Sequence, residues 1–240
     1  MLIERSNRWT VNAVYNSVRV SIYHWSIILH VNFKKAEEIE VLLPLNNIFN
    51  GEEMVEITWL GRGGQGAVTA AELLATAAIN EGKMAIAIPE FGAERRGAPV
   101  RAYNRIVTKW KELPKTPVLT PEILIIIDPG LATKAKSYVS TEKIRYLIAN
   151  TTFSKSELLK SIGKDISEEN VYVLDATKIA MEIFGRAIYN TVMLGALVGS
   201  VPLVSLSSVE NAIKKSFSGK LVELNLKAIN MGANKVKGGA

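Results

Sequence analysis

The feature that most constrains this chain is Gly61-Arg62-Gly63-Gly64-Gln65-Gly66, set between an apolar run and an alanine-rich stretch. Val55 to Leu60 reads as a short strand, and Ala67 to Asn80 is apolar at helical spacing, with Gly82 as a stop signal. Glycines at the first, third and sixth positions allow a tight strand-to-helix turn with close approach of backbone or ligand. The helix start then offers free N–H groups and a partial positive charge, so such a corner suits a phosphate. The same glycines also serve plain helix-on-strand packing, and spacing alone leaves both readings open.

The alternation continues downstream. Met84 to Ile88 and Val100 to Thr108 read as strands around a loop, and Ile123 to Ile127 is a wholly apolar strand ending at the turn Asp128-Pro129-Gly130. Arg145 to Ala149 and Val171 to Leu174 are further strands. Ser154 to Ser161 is a short helix in which Ser154 and Glu157 fit a capping box. Thr177 to Phe184, Thr191 to Val201, Ser208 to Phe217 and Leu221 to Asn230 read as helices. Apolar strands alternating with helices predict an α/β fold: a mostly parallel, Rossmann-like sheet with helices on both faces.

Charge and residue usage limit the chemistry. The 240 residues contain no cysteine, and both histidines, His24 and His30, precede Met54. There are accordingly no disulfides and no cysteine-held zinc or iron–sulfur cluster in this chain. From Met54 to Ala240 the stretch carries a net charge of about +7, without the usual general base or sulfur nucleophile. A reactive group would come from a cofactor or another chain, and no metal ligand set is expected. Lys109, Lys111 and Lys115 add a basic run, yet no nucleic-acid-binding motif accompanies it. No apolar run of ~18 residues suggests a membrane span, and the N-terminus lacks the form of a signal peptide, so the expected location is cytoplasmic.

Residues 1–53 differ in character from the rest. Val18 to Ile22 alternates as a strand would, but no motif is present. Two readings stand: an atypical N-terminal extension, or sequence upstream of a true start at Met54. Residues 54–240 are expected to form a single domain.

Two further features bear on function. The segment Pro89-Glu90-Phe91-Gly92-Ala93-Glu94-Arg95-Arg96-Gly97-Ala98-Pro99-Val100-Arg101 is the densest polar stretch. It is expected on the same sheet rim as the glycine turn, where open α/β sheets bind ligands. Arginine forks suit carboxylate or phosphate, and Glu90 and Glu94 could hold Arg95 or Arg96. Subunit interface and anion site remain alternatives that could coincide. Asp128 and Asp175 close strands, and capping is their favoured role. A self-sufficient NAD(P)-binding oxidoreductase is the alternative reading of the turn. Its ribose-binding acid, however, would be Glu90, which falls late and beyond a proline.

Taken together, the glycine turn, the alanine-rich helix, the segment from Pro89 to Pro99 and the helix from Asn190 to Val201 resemble the gamma subunit of 2-oxoacid:ferredoxin oxidoreductases, of pyruvate or branched-chain type, from about Val55 to Asn230. The resemblance implies coenzyme A-dependent oxidative decarboxylation of a 2-oxoacid to acyl-CoA and CO2, with ferredoxin as electron acceptor. It implies partner subunits of alpha, beta and delta type that carry thiamine diphosphate and iron–sulfur clusters, neither held by this chain, which also lacks a thiamine-diphosphate signature. It further implies an enzyme subunit that does not work alone, with Gly61, Arg62, Gly63, Gly64, Gln65 and Gly66 as cofactor-binding candidates and no catalytic residue of its own. Glu90, Glu94, Arg95, Arg96 and Arg101 would form a rim toward substrate, coenzyme A or partner.

Overall fold

The computed structural model describes residues 18–23, 26–31, 54–90, 97–109, 112–163 and 166–237. The chain forms two compact units, Met1–Leu42 and Leu43–Ala240. In the first, β1 (Val18–Tyr23) pairs antiparallel with β2 (Ser26–Val31), Val18 opposite Val31 and Tyr23 opposite Ser26. The strand expected at Val18 to Ile22 is therefore one arm of a hairpin.

The second unit contains six strands: β3 (Met54–Arg62), β4 (Met84–Pro89), β5 (Pro99–Val107), β6 (Ile123–Ile126), β7 (Tyr146–Asn150) and β8 (Val171–Leu174). They form one sheet in the order β4-β5-β3-β6-β7-β8. β3, β6, β7 and β8 run parallel, while β5 pairs antiparallel with both β3 and β4. The sheet is mostly parallel, and only β5 runs against the rest. β4 and β5 are joined by a connection too short for a crossover helix, so β5 must return as a hairpin partner. It inserts between β4 and β3, which brings the end of β4, the start of β5 and the end of β3 to one rim: Pro89 faces Ala102, and Arg62 faces Pro99.

Six α-helices are described: α1 (Ala67–Asn80), α2 (Lys155–Ile162), α3 (Ala176–Phe184), α4 (Asn190–Ser200), α5 (Leu206–Ser216) and α6 (Lys220–Lys237). One sheet face, through Val55, Ile57, Trp59, Ile123, Ile125 and Ile148, packs against buried residues of α1, α3, α4, α5 and α6. The other, through Leu60, Leu124, Ile126, Leu147 and Ala149, packs against α2 and a 3-10 segment, Pro129–Ser137. Alternation along each strand feeds both layers, as the period of two requires.

Local chemistry explains the ends of several helices. The capping box at α2 is formed: Ser154 Oγ accepts from Glu157 N, and Glu157 accepts from Ser154 N at 2.8 Å. Asp175 caps α3, accepting from Lys178 N at 2.8 Å. The 3-10 segment was legible only as its opening turn. No helix among the described residues is long and apolar enough to cross a membrane.

Inside the main layer, Trp59 Nε1 donates to Asn104 Oδ1 at 2.8 Å, and Asn104 Nδ2 donates to the Ala71 carbonyl at 2.9 Å. A fully buried polar pair thus ties β3, β5 and α1 together in one register.

Candidate functional site

The site lies on the rim where the parallel strands end. β3 runs directly into the glycine turn, and Gly66, at φ 79°, is the residue before α1. That left-handed backbone favours glycine. A side chain is excluded there for a second reason: a Cβ on Gly66 would sit 2.5 Å from Asn190 Nδ2. Asn190 opens α4, is 6% exposed, and has an Oδ1 without a hydrogen-bond partner among the described residues. Among the described residues no side chain caps α1, so its first N–H groups have no side-chain acceptor there.

The two polar side chains of the turn are folded inward. Gln65 Oε1 accepts from Arg62 N at 2.7 Å, while its Nε2 donates to Asp128 Oδ2 at 2.5 Å and to the Tyr189 hydroxyl at 3.1 Å. Arg62 Nε donates to Asp128 Oδ1 at 3.1 Å, and Nη1 donates to the Gly97 carbonyl at 2.8 Å. Gly63 N adds a bond to the Ala98 carbonyl at 3.2 Å. The glycine turn is thereby fastened to the exit of the 89–99 loop. Burial pushes the Tyr189 phenol up from its ordinary value, and the Asp128 charge adds to this.

This corrects one expectation. Asp128 precedes the 3-10 segment, but its side chain makes no capping bond there. Its carboxylate turns instead to Arg62 and Gln65. Capping holds for Asp175 and fails for Asp128, because a guanidinium and an amide 66 and 63 residues away compete for its oxygens. Asp128, Tyr189 and Asn190 are the rim residues that the sequence reading did not assign to the site. Only the position of each at the end or start of an element hinted at them.

The entry and exit of the 89–99 loop are braced by Glu90 and Arg101. Arg101 Nη2 donates to Glu90 Oε1 at 2.6 Å and Nε to Oε2 at 2.6 Å; Nη1 donates to the Tyr138 carbonyl at 2.5 Å. The Tyr103 hydroxyl also donates to Glu90. Burial alone would raise the Glu90 carboxyl, but the bonds from Arg101 and Tyr103 outweigh it and hold the group below its ordinary value. Arg101 is raised chiefly by its bond to Glu90, and burial pushes Tyr103 up. Glu90, expected to hold Arg95 or Arg96, takes Arg101. Glu94, Arg95 and Arg96 lie outside the described residues.

Six of the candidate residues, Gly61 to Gly66, therefore sit together at the rim, with Arg62 beside the loop exit. Glu90 and Arg101 sit at the loop's two ends. Among the described residues no group of three or more His, Asp or Glu side chains could hold a metal ion.

Comparison with known proteins gives this geometry a context. Residues 56–235 match the family model described as pyruvate ferredoxin/flavodoxin oxidoreductase. The chain is 45% identical over 182 residues to the pyruvate/ketoisovalerate oxidoreductases common subunit gamma of Thermococcus kodakarensis, covering 76% of this chain and 97% of that one. It is 40% identical over 185 residues to the pyruvate synthase subunit PorC of Methanothermobacter marburgensis, covering 77% and 98%. The crystal structure of the pyruvate oxidoreductase subunit PORC of Thermotoga maritima superposes with a TM-score of 0.67 at 36% identity, over 77% of this chain and 97% of that one. A fold carrying the glycine turn and its rim, matched over nearly the whole length of such subunits, assigns the chain to the pyruvate ferredoxin/flavodoxin oxidoreductase family.

Proposed function

We propose that this chain is the gamma-type subunit of a 2-oxoacid:ferredoxin oxidoreductase, which converts a 2-oxoacid and coenzyme A to acyl-CoA and CO2 while reducing ferredoxin. The observation that carries this reading is the family match from 56 to 235, joined to near-complete coverage of gamma and PorC subunits. The chain's role is to shape the rim of an active site completed by partner subunits of alpha, beta and delta type, in the cytoplasm.

The residues fit the implied groups unequally. An iron–sulfur cluster held by thiolates has no ligands here, because the chain has no cysteine. Thiamine diphosphate and the clusters belong, on this reading, to the partners, and no step is routed through them here. An anionic group such as a coenzyme A phosphate does fit the rim. It would meet the N-terminus of α1, which no described side chain caps, and Arg62, whose side chain is 36% exposed. Arg95 and Arg96, with Glu94 beside them, would add donors for the same phosphates or for a partner carboxylate. The bound group supplies the acyl-accepting thiol; this chain's residues hold and orient its anionic end.

The NAD(P) alternative loses its key contact. Glu90, the acid that would hold the ribose hydroxyls, accepts from Arg101 and Tyr103 instead.

Native purification tests the proposal. The chain should co-purify with larger subunits containing iron and thiamine diphosphate, and the assembled complex should show coenzyme A-dependent 2-oxoacid oxidation. Turnover by this chain alone would overturn it. Within the complex, Arg95→Ala should raise the KM for coenzyme A or dissociate the assembly. If both stay unchanged, the role given to the loop is wrong.

A further inference from the structure

The geometry points to Asp128 as a positioning residue of the rim, acting through Arg62; this rests on the reading of the glycine turn as a ligand-facing segment. Asp128 is 8% exposed and stands at the end of β6, directly before Pro129. A strand-end aspartate in that place ordinarily caps the next turn. Here each carboxylate oxygen serves a different side chain of the glycine turn, Arg62 at Oδ1 and Gln65 at Oδ2.

The consequence is a strut across three segments. From Asp128 it passes through the Arg62 guanidinium to the Gly97 carbonyl, linking the end of β6, the glycine turn and the exit of the 89–99 loop. Two anchors, at Nε and Nη1, fix the plane of the guanidinium. Nη2 is then held in one place, 3.8 Å from where a Cβ on Gly130 would stand, instead of sampling the rotamers of a long, partly exposed side chain. An anionic group at the rim, whether carboxylate or phosphate, meets a guanidinium already oriented. Asp128 also draws Gln65 over the turn, where Gln65 Oε1 occupies the Arg62 N–H. One carboxylate thus sets both the direction of the arginine and the folding-back of the glutamine, without touching the ligand itself.

Replacement by asparagine disturbs both contacts at nearly constant size. Asn keeps the size and an acceptor for Arg62, but its amide presents a donor to the Gln65 Nε2 donor and removes the charge that restrains the guanidinium. The test uses the assembled complex with Arg62→Met, Asp128→Asn and the double variant. KM for coenzyme A, KM for pyruvate as the 2-oxoacid probe, kcat and thermal midpoint are read for each. Arg62→Met is expected to raise KM for one of the two anionic substrates about tenfold, with kcat within about threefold. Asp128→Asn should raise the same KM by a similar factor. The double variant should be no worse than Arg62→Met alone, since it is through the arginine that the aspartate bears on the ligand.

Three results overturn the inference. If Asp128→Asn leaves both KM values within twofold while Arg62→Met raises one, Asp128 does not position the arginine. If the two effects multiply in the double variant, they are independent. If Asp128→Asn fails to assemble, the residue is structural. A fourth result reaches further: if Arg62→Met changes neither KM, the glycine turn does not face a ligand and the underlying reading falls with it.

Discussion

Glu90 and Arg101 close a two-pronged ion pair between β4 and β5, with both nitrogen–oxygen distances at 2.6 Å. The two residues flank the loop that carries Glu94, Arg95 and Arg96, so the pair clamps that loop at its base. Glu90 N also donates to the Arg101 carbonyl at 3.2 Å, extending the β4–β5 ladder by one rung. A forked arginine–carboxylate contact fixes orientation as well as distance. The loop therefore leaves the sheet from a rigid base.

Removing the clamp should cost stability in a pH-dependent way. Arg101→Met leaves the Glu90 carboxylate with Tyr103 alone, and we expect a loss of about 1 kcal/mol at pH 7, kept small because both side chains are partly exposed. Glu90 titrates below its ordinary value when folded, so its contribution is present above the unfolded-state value of 4.5 and fades as pH falls through the lowered one. The difference between wild type and variant should shrink on going from pH 7 to pH 3 in urea unfolding. A gap that is constant with pH would assign the loss to packing of the arginine stem.

A second acid group makes a sharper pH prediction. Glu81, just after α1, accepts from Lys83 Nζ at 2.6 Å and from Ser205 N at 2.6 Å, where α5 begins. Burial would raise its carboxyl, yet these bonds and the nearby serine hydroxyls hold it at about 2, from an ordinary 4.5. The stabilisation is complete above pH 4.5 and is lost as pH falls toward 2. Glu81→Gln should lower stability by roughly 1–2 kcal/mol at pH 7 and by much less near pH 2. Denaturant titrations across that range measure it, and equal losses at both ends would contradict the assignment.

The crossing of α4 and α6 depends on glycine. A Cβ at Gly195 would lie 2.1 Å from the Ile229 carbonyl oxygen, and one at Gly232 would lie 2.0 Å from the Val192 carbonyl oxygen. Both obstacles are backbone, which cannot rotate away. Gly195→Ala and Gly232→Ala should each destabilise by at least about 1–3 kcal/mol despite the better helix propensity of alanine. Thermal unfolding would show it. A variant as stable as wild type would mean that the helices separate at no cost.

Much of this architecture was legible from local pattern. The strand from Val171 to Leu174 and the Ser154–Glu157 capping box are set by alternation and side-chain chemistry within a few residues, and both are found where the sequence places them. The glycine turn was legible for the same reason. What stayed hidden depends on distant partners. The 3-10 segment after Asp128 has no strong period of its own and is held by burial of Leu131, Ala132 and Ala135 against the second face. The pairing of Glu90 with Arg101 required knowing that β5 turns back beside β4. Asn104 gives no local sign that it will meet Trp59, 45 residues away.

The sequence by itself determined the layered α/β class, the turn that opens the rim and the lack of any cysteine thiol in these 240 residues, because propensity, spacing and residue type act locally or by simple presence. Only the tertiary structure decided which side chains share the rim. Arg62, Gln65 and Asp128 meet there because the parallel strands β3 and β6 end on the same side of the sheet, and Tyr189 joins them from the start of α4; no short stretch of sequence encodes that neighbourhood.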